Sequence, residues 1–311
     1  HPLGQPFRAY VHAIDGMIVD DLYCGPEAFG KPLDQAIKDR RDFDRVLADE
    51  RARGIHRPAL PEAIGPFSID PAEEIRRAAE VKRQADKIER QRRILYAVDA
   101  MRQAGRRILS LESCKNAKDV QAAYRDGVRD RVLTYAHTGD DGLARVPTSR
   151  PWGESAEPVP TLNPARNWLP VLRADQFGSK AEWVGALERT NHDVLLVDVA
   201  YRGIDGLTFA DTLKLKYKTL GARRLVFAVL PLGRAYDWRW YWKPDWRTGE
   251  PRFLFAPDES DPGSYVVDLA DPKWKELLGK TLAGIVDAGF DGVVLDDADT
   301  YLWFEELMPL R

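Results

Sequence analysis

Short runs of β-branched and other apolar residues recur along the chain, and segments of helical periodicity separate them. The runs are Arg8–Ile14, Ile108–Leu111, Val132–Tyr135, Val194–Val197, Leu225–Leu230, Tyr265–Val267 and Val293–Leu295. Several are apolar at nearly every position, the mark of strands buried on both faces in a parallel sheet. Helices are predicted over Lys180–Arg189, Phe209–Leu220 and Pro272–Ala288, and Gly221 and Gly289 stand just before the next run. Strand, helix, glycine, strand is the α/β rhythm, shared by closed barrels and doubly wound sheets.

Carboxylates at the run ends favour one of those two. Asp198 closes Val194–Val197, Asp296 and Asp297 close Val293–Leu295, Asp268 follows Val267, Glu112 follows Leu111 and Asp15 follows Ile14. A carboxylate at the C-terminal end of so many strands is the pattern of a barrel's active face. A dinucleotide-binding sheet would need a Gly-rich phosphate loop after its first strand, and the sequence has none. The expected fold is therefore α/β, a (β/α)8 TIM-type barrel occupying residues 1–311 as one domain.

Between residues 33 and 105 lies a long charged helical block, expected to sit outside the barrel as an insertion. Its second helix opens on Asp70-Pro71-Ala72-Glu73, an N-cap followed by Pro in the first turn. Ile75, Ala78, Val81, Ala85, Ile88, Leu95, Val98 and Met101 form an apolar stripe at helical spacing. The basic residues around it, from Arg76 to Arg93, read as a solvated face, with partner binding the alternative. Residues 145–167 carry five prolines and no periodicity, and read as a linker.

Composition removes several function classes. Charged residues are 31% of the chain but nearly balanced, with a net charge of −3, which argues against a general nucleic-acid binder. No apolar run approaches the roughly 20 residues that span a bilayer. His12, His56, His137 and His192 stand apart without zinc-type spacing, so no metal site is expected. Cys24 and Cys114 read as two buried free thiols, with a disulfide as the alternative. The oligomeric state is left open. The sequence opens on His1 rather than Met, so the natural N-terminus is expected to lie outside it, with a leader either removed or never included.

Three segments carry a family resemblance. Arg224–Trp242 reads Arg-Leu-Val-Phe-Ala-Val-Leu-Pro-Leu-Gly-Arg-Ala-Tyr-Asp-Trp-Arg-Trp-Tyr-Trp, Tyr265–Trp274 ends on Asp-Pro-Lys-Trp, and Gly289–Tyr301 reads Gly-Phe-Asp-Gly-Val-Val-Leu-Asp-Asp-Ala-Asp-Thr-Tyr. They resemble the endo-α-1,4-polygalactosaminidase family of glycoside hydrolases, in its order from first strand to fifth. Tyr10–Tyr23 and Arg106–Arg131 resemble the late strands of the same family. The late half (1–144) thus precedes the early half (168–311), as in a circular permutation or a fragment running across two tandem domains.

The resemblance implies a polysaccharide substrate rich in α-1,4-linked galactosamine, no cofactor, and an extracellular or periplasmic location. Glycoside hydrolysis needs two carboxyl groups astride the bond. Asp198 matches the family's catalytic Asp, and Asp296 is a candidate for the second carboxylate. The family's Gly-Glu-Ala-Glu turn, which should supply the acid, reads Gly233-Arg234-Ala235-Tyr236 here. Arg cannot donate a proton at ordinary pH, and Tyr is a poor acid. Arg234 is expected to contact substrate, with an ion pair to Asp198 as the alternative. Tyr236, Asp237, Trp242, Asp268, Asp299, Tyr301 and Glu112 complete the expected substrate contacts, with Asp237, Asp299 and Glu112 as further carboxylate candidates. Aromatic faces around Trp238–Trp246 suit sugar rings, and acidic groups suit charged amino sugars. Two readings compete: an active hydrolase, or a catalytically inactive carbohydrate-binding relative. A structural protein assembling through the charged helices is a third. A catalytic Asp198 predicts that Asp198→Asn abolishes turnover and spares folding.

Overall fold

A computed structural model describes residues 5–25, 28–55, 71–139, 143–259, 261–298, 300 and 304. The chain divides into two compact units, His1–Gly139 and Asp140–Arg311.

The first unit contains α1 (Gln5–Ala13), β1 (Gly16–Asp20), α2 (Leu33–Ala52), α3 (Pro71–Gln103), β2 (Arg107–Cys114), α4 (Ala117–Asp130) and β3 (Leu133–Thr138). Its strands form a parallel sheet in the order β1-β2-β3, with Ile18 beside Leu109 and Leu109 beside Leu133. The expected strand over Arg8–Ile14 is mostly helix. Ala9 and Ala13 favour that state, and the chain turns extended only after Asp15. Asp15 thus precedes a strand instead of closing one. Asn116 caps α4, accepting from the amides of Lys118 and Asp119.

The charged block is two antiparallel helices. Asp34 pairs with Arg102, Arg40 with Asp99 and Asp44 with Arg92, so the numbers run in opposite directions. Leu33, Ala36 and Ile37 of α2 pack with Leu95, Val98 and Met101 of α3 in one core. The stripe on α3 is buried only in that C-terminal part, whereas Ile75 and Ile88 are exposed. The helical start expected at Asp70 lies outside the described residues.

Cys24 and Cys114 form a disulfide, correcting the free-thiol reading. They are 90 residues apart in sequence, but β1 and β2 are neighbours in the sheet. The loop after β1 therefore meets the end of β2. Separation along the chain carried no information about that.

The second unit contains β4 (Trp168–Val171), α5 (Lys180–Glu188), β5 (Val194–Val197), β6 (Ala200–Tyr201), β7 (Asp205–Gly206), α6 (Phe209–Leu215), β8 (Leu225–Pro231), β9 (Arg234–Tyr236), β10 (Leu254–Pro257), β11 (Ser264–Val267), α7 (Pro272–Asp287) and β12 (Gly292–Asp296). Four strands make a parallel sheet in the order β12-β8-β5-β4. At its N-terminal edge the buried Arg224 donates to the carbonyls of Leu187, Thr190 and Leu215. Those carbonyls lie at the C-terminal ends of α5 and α6, where helices leave acceptors unpaired. Burial lowers the Arg224 guanidinium to about 10, and Glu188 opposes that shift.

The Pro-rich segment is no free linker. Val159 donates to Arg223 and Arg166 to Asp193, while Lys218 donates to the carbonyls of Ser155 and Glu157. Lys218 is also in a buried ion pair with Asp193 at 2.5 Å. The segment is a strap held across the N-terminal edge of the second sheet.

The expected (β/α)8 TIM-type barrel is overturned. The strands fall into separate open sheets, and neither parallel sheet closes among the described residues. Tyr265–Val267, read as a barrel strand, lies antiparallel to β9 and β10 in a small sheet of its own. An all-apolar run reports burial on both faces, and an open parallel sheet supplies that as well as a barrel does.

Replacing Cys24 and Cys114 with Ala should lower the stability of the first unit by about 2–4 kcal/mol, since the bridge closes a long loop. Hydrogen exchange should quicken in β1–β3 and stay unchanged in β4, β5 and β8. Unchanged exchange in β1–β3 would refute a stabilising role.

Candidate functional site

The C-terminal edge of the second sheet collects the polar residues that the apolar strands exclude. β5 and β12 run parallel with β8 between them, so Asp198 and Asp296 emerge at the same edge. Between them, the chain leaves β8 through Gly233 into β9. A Cβ on Gly233 would lie 2.0 Å from the Thr300 hydroxyl and 2.6 Å from the Asp297 carbonyl, so only glycine fits this crossing.

Asp198 is 3% exposed and faces Arg239, itself 7% exposed. Nη1 of Arg239 donates to Oδ1 at 3.1 Å and Nη2 to Oδ2 at 3.0 Å. The Ala200 amide donates to Oδ1 at 3.2 Å. Burial pushes the Asp198 carboxyl up, and Arg239 with the Ala200 and Val199 amides pulls it back. The guanidinium lies 4.7 Å from the Trp238 ring centre and 5.5 Å from that of Tyr236. A planar cation paired in bidentate fashion and stacked on aromatics is held firmly. Both carboxylate oxygens are therefore occupied.

Arg234 does not pair with Asp198, as the sequence suggested. It binds Asp258 at 2.7 Å and Asp297 at 3.2 Å. The partner expected for Arg234 is taken by Arg239, in the turn after β9. The Tyr236 hydroxyl lies 3.5 Å from Asp297. Burial and the charges of Asp297, Asp261 and Asp296 hold its proton on well above the usual tyrosine range.

The other predicted residues scatter. Asp296 is exposed, and its Oδ1 accepts from the Asp297 amide. Asp237 is exposed beside Gly263. Asp268 is exposed and accepts from the Ala270 amide in the turn before α7. Trp242 is half-buried, stacked on Tyr265 at 4.9 Å and edge-on to Trp246 at 5.4 Å, so it packs the loop. Trp240, by contrast, is 44% exposed. Asp299 and Tyr301 lie outside the described residues. Sequence reasoning missed Arg239, Asp258 and Asp297 as partners. Trp-Arg-Trp at 238–240 was the available signal for Arg239, a cation set between aromatics.

Glu112 belongs to the first unit and is fully buried. Its carboxylate accepts from the amides of Leu22 (3.2 Å), Tyr23 and Cys24 (both 2.9 Å), which fixes the disulfide-bearing loop. That is a structural use, and it leaves no open face for a sugar. Burial raises the carboxyl from 4.5 to about 7, and the amide donors oppose the shift.

No group of three or more His, Cys, Asp or Glu with metal-binding geometry occurs among the described residues. No helix among them is long and apolar enough to cross a membrane.

No family model matches the chain. It is similar to an uncharacterized protein of Thermotoga maritima, 38% identical over 80 residues, which are 25% of each chain. An uncharacterized protein of Methanocaldococcus jannaschii is 26% identical over 152 residues, 49% of this chain and 43% of that one. One of Deinococcus radiodurans is 36% identical over 78 residues, again 25% of each. The chain thus spans between a quarter and less than half the length of these relatives.

Two outcomes follow from the geometry. Asp198→Asn leaves Arg239 buried without its counter-charge, so stability should fall by about 3–5 kcal/mol; an unchanged denaturation midpoint would contradict the closed pair. Glu112 titrates higher folded than unfolded, so its contribution is present at low pH and is lost as pH rises from 4.5 to about 7. The first unit should lose about 3 kcal/mol across that window. Glu112→Gln should flatten the pH dependence, as followed by urea midpoints at pH values on either side.

Proposed function

We propose that the chain binds polysaccharide containing α-1,4-linked galactosamine without cleaving it, as a catalytically inactive relative of the polygalactosaminidases. One observation carries this reading: the carboxylate at the family's catalytic position, Asp198, is sealed by Arg239 on both oxygens. A nucleophile or base needs an open oxygen within reach of the sugar. Arg234 and Tyr236 replace the two acids of the family's turn, which removes the proton donor as well.

Binding is supported by what stays open. Trp240, Asp237 and Asp296 are exposed, and Tyr236, Trp238 and Asp261 are half-buried. Aromatic faces stack on pyranose rings, and a carboxylate-rich rim attracts an amino sugar carrying positive charge.

Partly deacetylated galactosamine-rich polymer should bind, with affinity falling as salt rises and by about tenfold in Trp240→Ala. No reducing ends should appear on prolonged incubation. Release of reducing ends by the wild type would establish the hydrolase instead. Absence of both binding and release would sink the carbohydrate reading altogether.

A further inference from the structure

The loop after β1 is tied to the end of β2 at three points. Cys24 is bridged to Cys114. The Glu112 carboxylate accepts from the amides of Leu22, Tyr23 and Cys24. The Ser113 amide donates to Oδ1 of Asp21 at 3.1 Å. Asp21 itself has φ +54°, a left-handed conformation that non-glycine residues adopt at a cost, so the loop relaxes when its ties go.

The same loop is a junction. Leu22 packs with α2 and α3 residues in one core, and Cys24 and Cys114 pack with Ala123 of α4 in another. The Phe29 amide donates to the Leu22 carbonyl, and α2 follows at Leu33. The pairing of β1 with β2 runs from Gly16 to Asp20 and does not use residues 22–24. Opening of the loop thus loosens the α2–α3 pair and leaves the sheet paired.

The two main ties answer to different chemistry. A dithiol releases the first: its thiolate attacks one sulfur, and the bond between Cys24 and Cys114 breaks as a mixed disulfide forms. The reductant's second thiol then displaces the remaining cysteine, leaving two protein thiols and a cyclic disulfide. Glu112, by contrast, is fully buried, and no Lys or Arg bonds to it among the described residues. Asp21 and Tyr23 face it from the loop and Ser110 from β2, while Asp130 and Arg102 lie beyond Tyr23. From α4, Tyr124 packs beside the disulfide and Asp119 is turned to Asn116. Arg102, the cation of this set, is engaged by Asp34 and the Asp130 carbonyl. Burial and Asp21 therefore disfavour the Glu112 anion, against the Tyr23 and Cys24 amides and Ser110.

We propose that this junction is a redox-gated latch: the disulfide keeps the loop closed, and its reduction by a dithiol leaves closure to Glu112. In the reduced chain the loop stays shut while Glu112 is protonated and opens as it ionises. In the oxidised chain the covalent link holds the loop through the same pH range. A bridge that serves only as a staple would instead, on reduction, loosen loop and sheet together.

Amide hydrogen exchange on the full chain tests the latch, comparing oxidised protein with protein reduced by dithiothreitol and kept anaerobic, at pH 5 and pH 8. The readout is protection at Leu22, Tyr23 and Cys24 relative to Leu109 and Leu111 in β2, corrected for intrinsic rate. In the oxidised chain this ratio should be the same at both pH values. In the reduced chain it should be preserved at pH 5 and fall at least tenfold at pH 8, and Glu112→Gln should abolish that difference. Equal loss of protection in loop and sheet on reduction overturns the proposal, as does a ratio that falls at pH 8 in the oxidised chain too. A reduced chain with the same ratio at both pH values removes Glu112 as the second tie and overturns it as well.

Discussion

A parallel strand buried on both faces has no room for polar side chains along its length, so they gather at its two ends. The second unit is organised by that constraint. At the N-terminal edge, Asp193, Lys218 and Arg224 are all buried and all paired, with one another or with helix-end carbonyls. They close two helix C-termini and pin the Pro-rich strap. At the C-terminal edge, the same exclusion brings Asp198, Asp296 and the Gly233 crossing together. One edge is a structural seal. The other retains exposed aromatic and acidic groups.

The pairing of Asp198 with Arg239 decides which chemistry that second edge can support. A bidentate pair between two nearly unexposed groups holds both in place, and removing either leaves a buried charge. Catalysis requires a carboxyl oxygen that a substrate can approach. Trp240 is 44% exposed, whereas both oxygens of Asp198 are engaged by Arg239. In the first unit, Glu112 shows the same logic. A carboxylate at a strand end, taken from its position to be a ligand group, instead holds three consecutive amides next to the disulfide.

Unburied apolar surface is the other recurrent theme. The stripe on α3 is covered only where α2 and the first sheet extend beneath it. On α7, Leu282 and Val286 are exposed, and β12 pairs with β8 alone among the described residues. An open sheet has edge strands and end helices that a closed one lacks, and their exposed flanks are natural places for association.

The sequence by itself determined the local elements: β5, β8 and β12 from their apolar runs, α7 from its helical stretch between two such runs, and the gathering of carboxylates at strand ends. Those follow from periodicity and from the exclusion of charge from buried strands, both of which are local. Tertiary structure alone decided that the strands form open sheets, since closure depends on which edges meet. It also decided that Tyr265–Val267 lies in an antiparallel sheet, that Cys24 meets Cys114, and that Arg239 rather than Arg234 faces Asp198. Each of these is a contact between segments distant in sequence or separated by a turn. A side chain's partner is fixed by the direction in which the backbone aims it, and a residue pattern read along one dimension does not contain that direction.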